Sequence, residues 1–378
     1  MPDKKNLLFY FSSNKRTNSV ETLLLQLRNQ GYNVMILTSC EKGDLHYFLE
    51  KNNFPIYTNV LKTTNGILFN FKQLLYLISF CKKNKIHYIH SHLQPANIIA
   101  VFANYFVSAK LLIFRHHFQY IQNSDYKEKI NKREILYDKI INKLAPVIIV
   151  PSSGVYNGML KYETVKKSKL YIIPYIYDFD KYKKPNTDNV LKLKNDYKCE
   201  LRLIMVSRMV KLKRHILVFN AVKELIKEGL DIKLLVLDDG PEKNNLENFI
   251  LENKLQDRIH MLGFKTDFID YMACSELLIQ PSLTDASNSA VKEMALSGKL
   301  VAVSEEVGDY SDYIIDNQNG FLIPLHNSKY HVIKIIKQVY NNKDNFNKLG
   351  VELKKDVLNK FDIKNSENVI LKYLELMK

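Results

Sequence analysis

The sequence has few cysteines and no long apolar runs, and these shortages exclude several classes of protein. No apolar run reaches the roughly 18 residues that a helix needs to cross a bilayer, and the longest, 73–81 and 98–107, are typical of buried helix faces. A strand is predicted at 7–11, almost at the N-terminus, so no signal peptide is expected. The four cysteines form no CxxC pair or His/Cys cluster, which favours reduced core residues in a cytoplasmic protein.

The sequence also lacks the motifs of nucleic-acid recognition, namely an RNP motif, a zinc finger or a recognition helix, so no nucleic-acid partner is expected. Its net charge of +15 is unevenly distributed, because residues 1–180 contain 24 Lys and Arg against 12 Asp and Glu. This asymmetry favours a polyanion or an anionic membrane surface as a partner of the first half. Compositional drift in an Asn-, Lys- and Ile-rich proteome is the alternative.

The chain is long enough for two domains, and its β/α alternation occurs twice. The first half opens with a βαβ pattern that lacks the glycine fingerprint of a dinucleotide site. The alternation restarts at 201–206 after a lysine-rich passage. We therefore expect an α/β protein with two doubly wound, Rossmann-like domains facing a cleft. The expected divisions are an N-terminal domain at 1–180, a linker at 181–198, a C-terminal domain at 199–360, and a C-terminal helix at 361–378 that packs back on the first domain.

The stretch 281–298 contains the strongest local signal. It follows an apolar run at 277–280 that predicts a buried strand, and it becomes helical near Asn288 or Ser289. Asp285 and Glu293 bracket a turn of small hydroxyl and amide residues. Free N–H groups at a helix start favour an anion, and the carboxylates can accept hydrogen bonds from hydroxyls. The pattern suits a sugar phosphate; a capped surface helix with solvated carboxylates is the alternative.

Five segments of the second half resemble, in order, motifs of the retaining glycosyltransferases of the GT-B fold, group 1 (family 4) class. They are Ser207-Arg208-Met209-Val210-Lys211-Leu212-Lys213, Leu237-Asp238-Asp239-Gly240-Pro241, Ile259-His260-Met261-Leu262-Gly263-Phe264, the pair Asp285 and Glu293, and Asn319-Gly320-Phe321-Leu322-Ile323-Pro324. These are similar to the family's Gly-Arg…Lys turn, Val-Gly-Asp-Gly-Pro segment, Phe-Leu-Gly turn, Glu-x7-Glu motif and Asn-Gly turn. This sequence departs from the pattern at Ser207 and Asp238, where glycine is usual, and at Asp285, where glutamate is usual.

The resemblance implies a nucleotide-sugar donor and assigns residues to it. Arg208 and Lys213 would stabilise the leaving diphosphate without a metal or other cofactor, since arginine offers a planar fork and lysine a compact charge. Glu293 would hold the ribose hydroxyls, and Asp285 would lie near the donor sugar. The other donor-side candidates are Phe264, which would flank the base, and Ser287, Asn288 and Ser289 at the helix start.

For the first half, the resemblance implies a histidine after the strand that ends at Phe114, hydrogen-bonded to the transferred sugar. We favour His117 as this catalytic residue, because the chain leaves the strand there, with His116 as the alternative. The family's Gly-Gly pair is absent from the first loop. Lys15, Arg16 and Glu21 are acceptor-side candidates, and a solvated loop is the alternative for them.

The function implied is that of a metal-independent retaining hexosyltransferase of cell-surface polysaccharide synthesis. It would move a sugar from a nucleotide sugar to a glycan or lipid-linked acceptor, in the cytoplasm or peripherally on the inner face of the membrane. No protein nucleophile is assigned. The alternative is a catalytically degenerate GT-B protein that binds a sugar nucleotide or a partner without turnover, which the lost glycines and Asp285 motivate.

Overall fold

The computed structural model describes residues 4–63, 65–118 and 132–378, and the chain divides into two compact units. The first contains the described residues up to Phe179 together with Phe361–Lys378, and the second contains Asp180–Lys360. Both are parallel sheets covered by helices.

The first unit is built on a seven-stranded sheet in the order β3-β2-β1-β4-β5-β6-β7. Its strands are β1 (Asn6–Phe11), β2 (Asn33–Thr38), β3 (Ile56–Thr58), β4 (Tyr88–His92), β5 (Lys110–Phe114), β6 (Val147–Val150) and β7 (Leu170–Ile172). The helices between them are α1 (Asn18–Asn29), α2 (Asp44–Lys51), α3 (Gly66–Lys83), α4 (Gln94–Ala103), α5 (Lys132–Leu144) and α6 (Ser153–Tyr162).

The second unit is built on a six-stranded sheet in the order β10-β9-β8-β11-β12-β13. Its strands are β8 (Leu201–Val206), β9 (Ile232–Leu237), β10 (Ile259–Gly263), β11 (Leu277–Gln280), β12 (Leu300–Ser304) and β13 (Phe321–Ile323). Its helices are α7 (Thr187–Asp196), α8 (His215–Lys227), α9 (Lys243–Glu252), α10 (Phe268–Cys274), α11 (Ser289–Leu296), α12 (Ser328–Asn341) and α13 (Lys343–Phe361).

The burial of the strands explains their apolar sequences. A parallel sheet with helices on both faces hides every side chain of its central strands, so these strands are continuous apolar runs rather than alternating ones. β1 and β8 show this pattern, being buried at five of their six positions. Strand order reverses beside both of them, and open α/β sheets bind ligands at the carboxyl ends of strands at such a point. The predicted pair of doubly wound, Rossmann-like domains is confirmed.

The final helix, α14 (Glu367–Met377), follows the second unit along the chain but packs in the first. Its residues Val369, Ile370, Tyr373 and Met377 belong to the same buried cluster as Leu7 of β1. Its apolar face is therefore part of the core of the first unit.

The passage 181–198, predicted as a linker, contains α7 and belongs to the second unit. The side chain of Asn186 caps this helix, and Leu193 is its one buried residue. Asn189 donates a hydrogen bond of 2.7 Å to Asp270 on α10. Because the helix is held mainly by polar contacts, its sequence has too few apolar positions to reveal it.

Within the described ranges, no helix is both long and apolar enough to cross a bilayer. All four cysteines are free thiols, with Cys81 and Cys274 buried and Cys40 and Cys199 half-buried.

Candidate functional site

A pocket of about 370 Å³ lies at the carboxyl edge of the second sheet. Loops after β8, β9 and β10 contribute to it, together with the start of α11. Six of the predicted donor-side residues line it, namely Arg208, Lys213, Phe264, Asn288, Ser289 and Glu293. Residues that lie up to 85 positions apart in the sequence, Arg208 and Glu293, therefore share one pocket.

Two cations on one wall of the pocket differ in how they are held. Arg208 is exposed, and its guanidinium makes no hydrogen bond or ion pair with any described residue. Lys213 ends a short 3₁₀ turn (Lys211–Lys213), and its Nζ donates a hydrogen bond of 2.6 Å to Oδ2 of Asp285. Arg208 can therefore offer its whole fork to an anion, whereas Lys213 would share its charge between the anion and Asp285.

Asp285 is a fixed, ionised carboxylate beside the pocket. Its Oδ2 accepts hydrogen bonds from Lys213, from Nδ2 of Asn288 at 2.9 Å and from the hydroxyl of Tyr310 at 3.2 Å. Burial by itself would raise the pKa of Asp285, but the charge and hydrogen bond of Lys213, together with the hydrogen bonds from Asn288 and Ala286, outweigh it, so the pKa lies below its usual value. The carboxylate thus remains charged at neutral pH.

Glu293 lies on the pocket wall inside α11 and is 9% exposed. Burial raises the pKa of its carboxyl to about 7, and the charge of Lys292 offsets this only in part. The side chain is therefore divided between its neutral and charged forms near neutral pH. A ligand that donates hydrogen bonds, such as a pair of sugar hydroxyls, would favour the charged form.

The start of α11 faces the pocket through Asn288, Ser289 and Ala290. Asn288 caps the helix by accepting a hydrogen bond of 2.9 Å from the backbone N–H of Ala290. The predicted helix start is thus confirmed, and its positive dipole end points at a pocket that also contains two cations. Ser287, the remaining donor-side candidate, instead turns its hydroxyl to Lys292 and Asp309.

A buried ion pair behind the pocket was not predicted from the sequence. Nζ of Lys292 lies 2.7 Å from Oδ2 of Asp309, and both side chains are 1% exposed. The same ammonium donates to Oγ of Ser287 at 2.9 Å and lies 5.2 Å from the centroid of the Tyr313 ring. The signal in the sequence was a lysine, next to Glu293, among the apolar residues of the helix segment 290–296, but its partner is 17 residues away.

The turn after β9 retains a glycine-like conformation without the glycine. Asp238 has φ of +88°, in the region that favours glycine, and its Oδ1 accepts a hydrogen bond from the N–H of Asp239. Gly240 is required for another reason, because a Cβ atom there would lie 2.4 Å from the carbonyl oxygen of Met209. A residue with a Cβ atom therefore holds the left-handed backbone at the position where glycine is usual.

In the first unit, the two candidate histidines follow β5 and have different surroundings. His116 is half-buried. Its Nε2 forms a hydrogen bond of 3.3 Å with Nδ1 of His92, and its Nδ1 forms one with the hydroxyl of Tyr175. Burial, with smaller contributions from His117 and Arg115, lowers the pKa of His116 to about 3. His117 is exposed, and its ring makes no hydrogen bond to residues 4–63, 65–118 or 132–378.

Arg115 fixes the turn that presents these histidines. It is 4% exposed, and its Nη2 lies 3.1 Å from Asp138 and 3.0 Å from Glu163. Its Nη1 donates to Asn142 at 2.8 Å. Arg115 directly follows the strand that ends at Phe114, but its partners come from α5 and from the residue after α6, so no local pattern identifies them.

The acceptor-side candidates lie in the loop after β1 and at the start of α1. Arg16 makes a two-pronged interaction with Glu21, with Nε at 2.6 Å from Oε1 and Nη2 at 2.9 Å from Oε2. Lys15 is exposed. Arg16 is half-exposed while Glu21 is buried, so the pair anchors the loop as well as presenting charge at the carboxyl edge of the sheet.

Two family models match successive parts of the chain. The model described as Glycosyltransferase Family 4 matches residues 17–181, and the model described as Glycosyl transferases group 1 matches residues 188–356. The chain belongs to the group 1 and family 4 glycosyltransferases. The second match contains the whole pocket of this glycosyltransferase, and the first contains both histidines.

Individual relatives are distant. The chain is 27% identical over 183 residues to an uncharacterised glycosyltransferase of Methanocaldococcus jannaschii, a match that covers 48% of this chain and only 45% of that protein. It is 23% identical to the UDP-Gal:alpha-D-GlcNAc-diphosphoundecaprenol alpha-1,3-galactosyltransferase of Escherichia coli, over 79% of this chain and 78% of that one. The crystal structure of Anabaena Alr3699/HepE in complex with UDP-glucose is similar with a TM-score of 0.79 at 17% identity, over 98% of this chain and 99% of that one. This likeness supports the GT-B fold.

Proposed function

We propose that this protein is a retaining hexosyltransferase that uses a nucleotide-sugar donor. The observation that carries the proposal is the shared pocket of Arg208, Lys213 and Glu293 at the start of α11. An arginine fork, an ammonium and a helix N-terminus together suit a diphosphate, and a carboxylate beside them suits the hydroxyls of a ribose. Phe264, which is 76% exposed, has a free face for a nucleobase.

Uridine diphosphate is the first nucleotide to test, and a lipid-linked diphosphate glycan is the first acceptor. The names of two similar proteins support this choice: the Anabaena protein is in complex with UDP-glucose, and the E. coli enzyme is named for UDP-Gal and a diphosphoundecaprenol acceptor. With an acceptor of this kind, the proposed transfer reaction would take place at a membrane surface. It would belong to cell-surface polysaccharide synthesis. The excess of basic residues in the first 180 positions supports an anionic surface.

In the proposed reaction, the bond between the anomeric carbon and the diphosphate oxygen breaks, and the acceptor oxygen bonds to that carbon from the same face. The acceptor proton passes to the leaving phosphate. Arg208 and Lys213 stabilise the charge that develops on the diphosphate, so we propose that no metal is required. Asp285 holds Lys213 in place and accepts a hydrogen bond from a hydroxyl of the donor sugar.

We propose His117 as the histidine that contacts the transferred sugar. The engagement of both ring nitrogens of His116 supports this choice, because His116 would have to lose a hydrogen bond before it could bind a sugar. Single His116→Ala and His117→Ala variants separate the two roles. We expect His117→Ala to lower kcat at least tenfold while the donor still binds, and His116→Ala to lower the melting temperature.

The proposal is tested first by thermal shift with UDP-, GDP-, ADP- and CMP-linked hexoses, because a ligand of the folded state raises its stability. The best nucleotide sugar is then followed for transfer and hydrolysis in the presence of EDTA. Arg208→Ala should abolish turnover, whereas Lys211→Ala, which removes an exposed cation two residues before Lys213, should not. NMR of the first product formed reports whether the anomeric configuration is retained.

The degenerate binding protein is the second candidate, and the pairing of Lys213 with Asp285 favours it, since it reduces the charge offered to a diphosphate. The conformation of Asp238 argues against it, because this residue keeps the left-handed backbone that glycine would favour at this position. Binding of a nucleotide sugar without hydrolysis or transfer, in wild type and Arg208→Ala alike, would establish this second candidate.

A further inference from the structure

Helix α3 of the first unit exposes an apolar stripe to solvent. Ile67, Phe71 and Leu75 are 82%, 55% and 52% exposed, and the neighbouring Leu68 is 41% exposed. Positions four apart lie one above the other on a helix, so these side chains form a continuous line. The opposite face packs into the protein through Gln73, Leu77, Phe80 and Cys81. The helix is therefore apolar on the side that faces the core and also on the side that faces water.

The charged residues on α3 are all of one sign, while α5, which hydrogen-bonds to α3 through Tyr137 and Asn70, carries the exposed Glu134. Helix α3 contains three lysines and no Asp or Glu, and Lys72 and Lys82 are exposed on it. Helix α4, which packs against α3, has no acidic residue either. The sequence has no Asp or Glu between Glu50 and Asp125. A protein partner with a basic surface would be repelled here, whereas an anionic surface would be attracted.

The end of α3 adds a second group of cations beside an aromatic ring. Lys82, Lys85 and Phe106 line a cavity of about 490 Å³, and Phe106 is 59% exposed. Aromatic rings and lysines are favoured at the boundary between lipid tails and headgroups, where the ring meets the apolar layer and the ammonium meets phosphate. The exposed side of α3 and the segment that follows it thus combine apolar and aromatic side chains with lysines, as surfaces that lie in a membrane interface do.

We propose that the exposed face of α3 is the membrane-docking surface of this protein and that its partner is a bilayer rich in anionic lipid. Ile67, Phe71 and Leu75 enter the boundary between headgroups and acyl chains, and Lys72, Lys82 and Lys85 pair with lipid phosphates. Helix α3 begins after the carboxyl end of β3, the edge of the sheet at which His92 and His116 also lie. Docking would therefore bring that edge to the surface in which a lipid-linked acceptor resides.

This inference deepens the proposed function by naming the surface that would bring the protein to a lipid-linked acceptor. Its test measures vesicle binding rather than turnover, so the two can fail separately. Donor binding without vesicle binding would contradict the docking surface alone, and vesicle binding without donor binding would contradict the proposed transferase alone.

The chain contains no tryptophan, so Phe71→Trp would introduce a single fluorescent reporter into the stripe. Leu251→Trp is the matched control, because Leu251 is 58% exposed on α9 of the second unit. With vesicles of phosphatidylcholine and phosphatidylglycerol, we expect the emission of the first variant to shift to shorter wavelength and that of the control to remain unchanged. Vesicles of phosphatidylcholine alone, or added salt, should reduce the shift, because the attraction to anionic lipid is screened.

A second pair of variants measures the contribution of the stripe. Phe71→Asn combined with Leu75→Asn should lower co-sedimentation with the anionic vesicles at least tenfold, while Leu251→Asn should not. The thermal shift caused by the nucleotide sugar should remain in both, which shows that the variants fold. No shift of the Phe71→Trp emission with anionic vesicles would overturn the proposal. A shift that grows with protein concentration in the absence of vesicles would also overturn it and would assign the stripe to a second copy of the chain.

Discussion

The ammonium of Lys292 and the carboxylate of Asp309 form an ion pair of 2.7 Å from which solvent is almost entirely excluded. Lys292 also binds Ser287, two residues after Asp285, while Asp309 is followed by Tyr310, which donates a hydrogen bond to Asp285. The pair therefore joins α11 to the loop after β12 and holds Asp285 from both sides. The ion pair thus fixes the position of that carboxylate beside the pocket.

We expect Lys292→Met to destabilise the protein by about 3–5 kcal/mol, because it leaves the carboxylate of Asp309 buried without its partner. The double variant Lys292→Met/Asp309→Ala should recover the larger part of this loss, since no charge remains buried. Urea unfolding of the two single variants and the double variant measures the coupling. A double variant as unstable as the sum of both single variants would show that the two residues act independently.

Asp285→Asn should separate binding from transfer. Removing the negative charge next to Lys213 leaves the ammonium free for the diphosphate, and two unit charges a few ångströms apart in a partly solvated site interact by roughly 1 kcal/mol or more. We therefore expect UDP to bind about fivefold more tightly and transfer to fall, because the hydrogen-bond acceptor for the donor sugar is weakened. Calorimetry and a transfer assay give the two values. Weaker UDP binding would contradict the view that Asp285 competes for Lys213.

The raised pKa of Glu293 predicts a pH-dependent affinity. If ribose hydroxyls bind the ionised form, then donor affinity should increase as the pH rises through about 7. Affinity at pH 6 should be about tenfold weaker than at pH 8. A nucleotide sugar is preferred to the free nucleotide as the probe, because its diphosphate does not titrate in this range. Glu293→Gln should bind weakly at every pH, and an unchanged pH profile in this variant would refute the assignment.

The same carboxyl should make the stability of the unbound protein fall as the pH rises, whereas it makes donor affinity rise. Between its ordinary pKa of 4.5 and the folded-state value of about 7, the unfolded chain loses the proton first, so stability falls as the pH rises. Glu293→Gln removes this penalty, which amounts to roughly 3 kcal/mol above pH 7. The variant should thus melt at nearly the same temperature as wild type at pH 4.5 and at a higher temperature at pH 8. Differential scanning calorimetry across this range checks the trend.

Asp238 provides a test of backbone strain. Its φ of +88° disfavours any residue with a Cβ atom, although the bond from Asp239 to its carboxylate gives partial compensation. Asp238→Ala keeps the Cβ and loses the bond, so it should be less stable than Asp238→Gly by about 1 kcal/mol or more. Chemical unfolding of the two variants measures the difference. Equal stability would mean that the turn relaxes to a negative φ.

Local patterns in the sequence were sufficient for the buried strands at 7–11, 201–206 and 277–280 and for the start of α11, but not for the short, partly exposed β3. Buried parallel strands are apolar throughout, and Asn288 both ends the preceding loop and caps the helix. Local patterns were insufficient for ion pairs such as Arg115 with Glu163. In the sequence, a charged residue that is neutralised by a distant partner looks the same as one on the surface. Helix α7 was missed for a related reason, since its anchors are Asp267, just before α10, and Asp270 within α10. The roles proposed for the site residues stay predictions until the variants are measured.

The position of α14 constrains the order of events during synthesis. The first unit is missing one wall of its core until Val369, Ile370, Tyr373 and Met377 have left the ribosome, by which time all of Asp180–Lys360 has been made. The second unit can complete its own core earlier, because it needs no later segment. During synthesis the second unit can therefore fold while the core of the first unit still lacks these four apolar side chains.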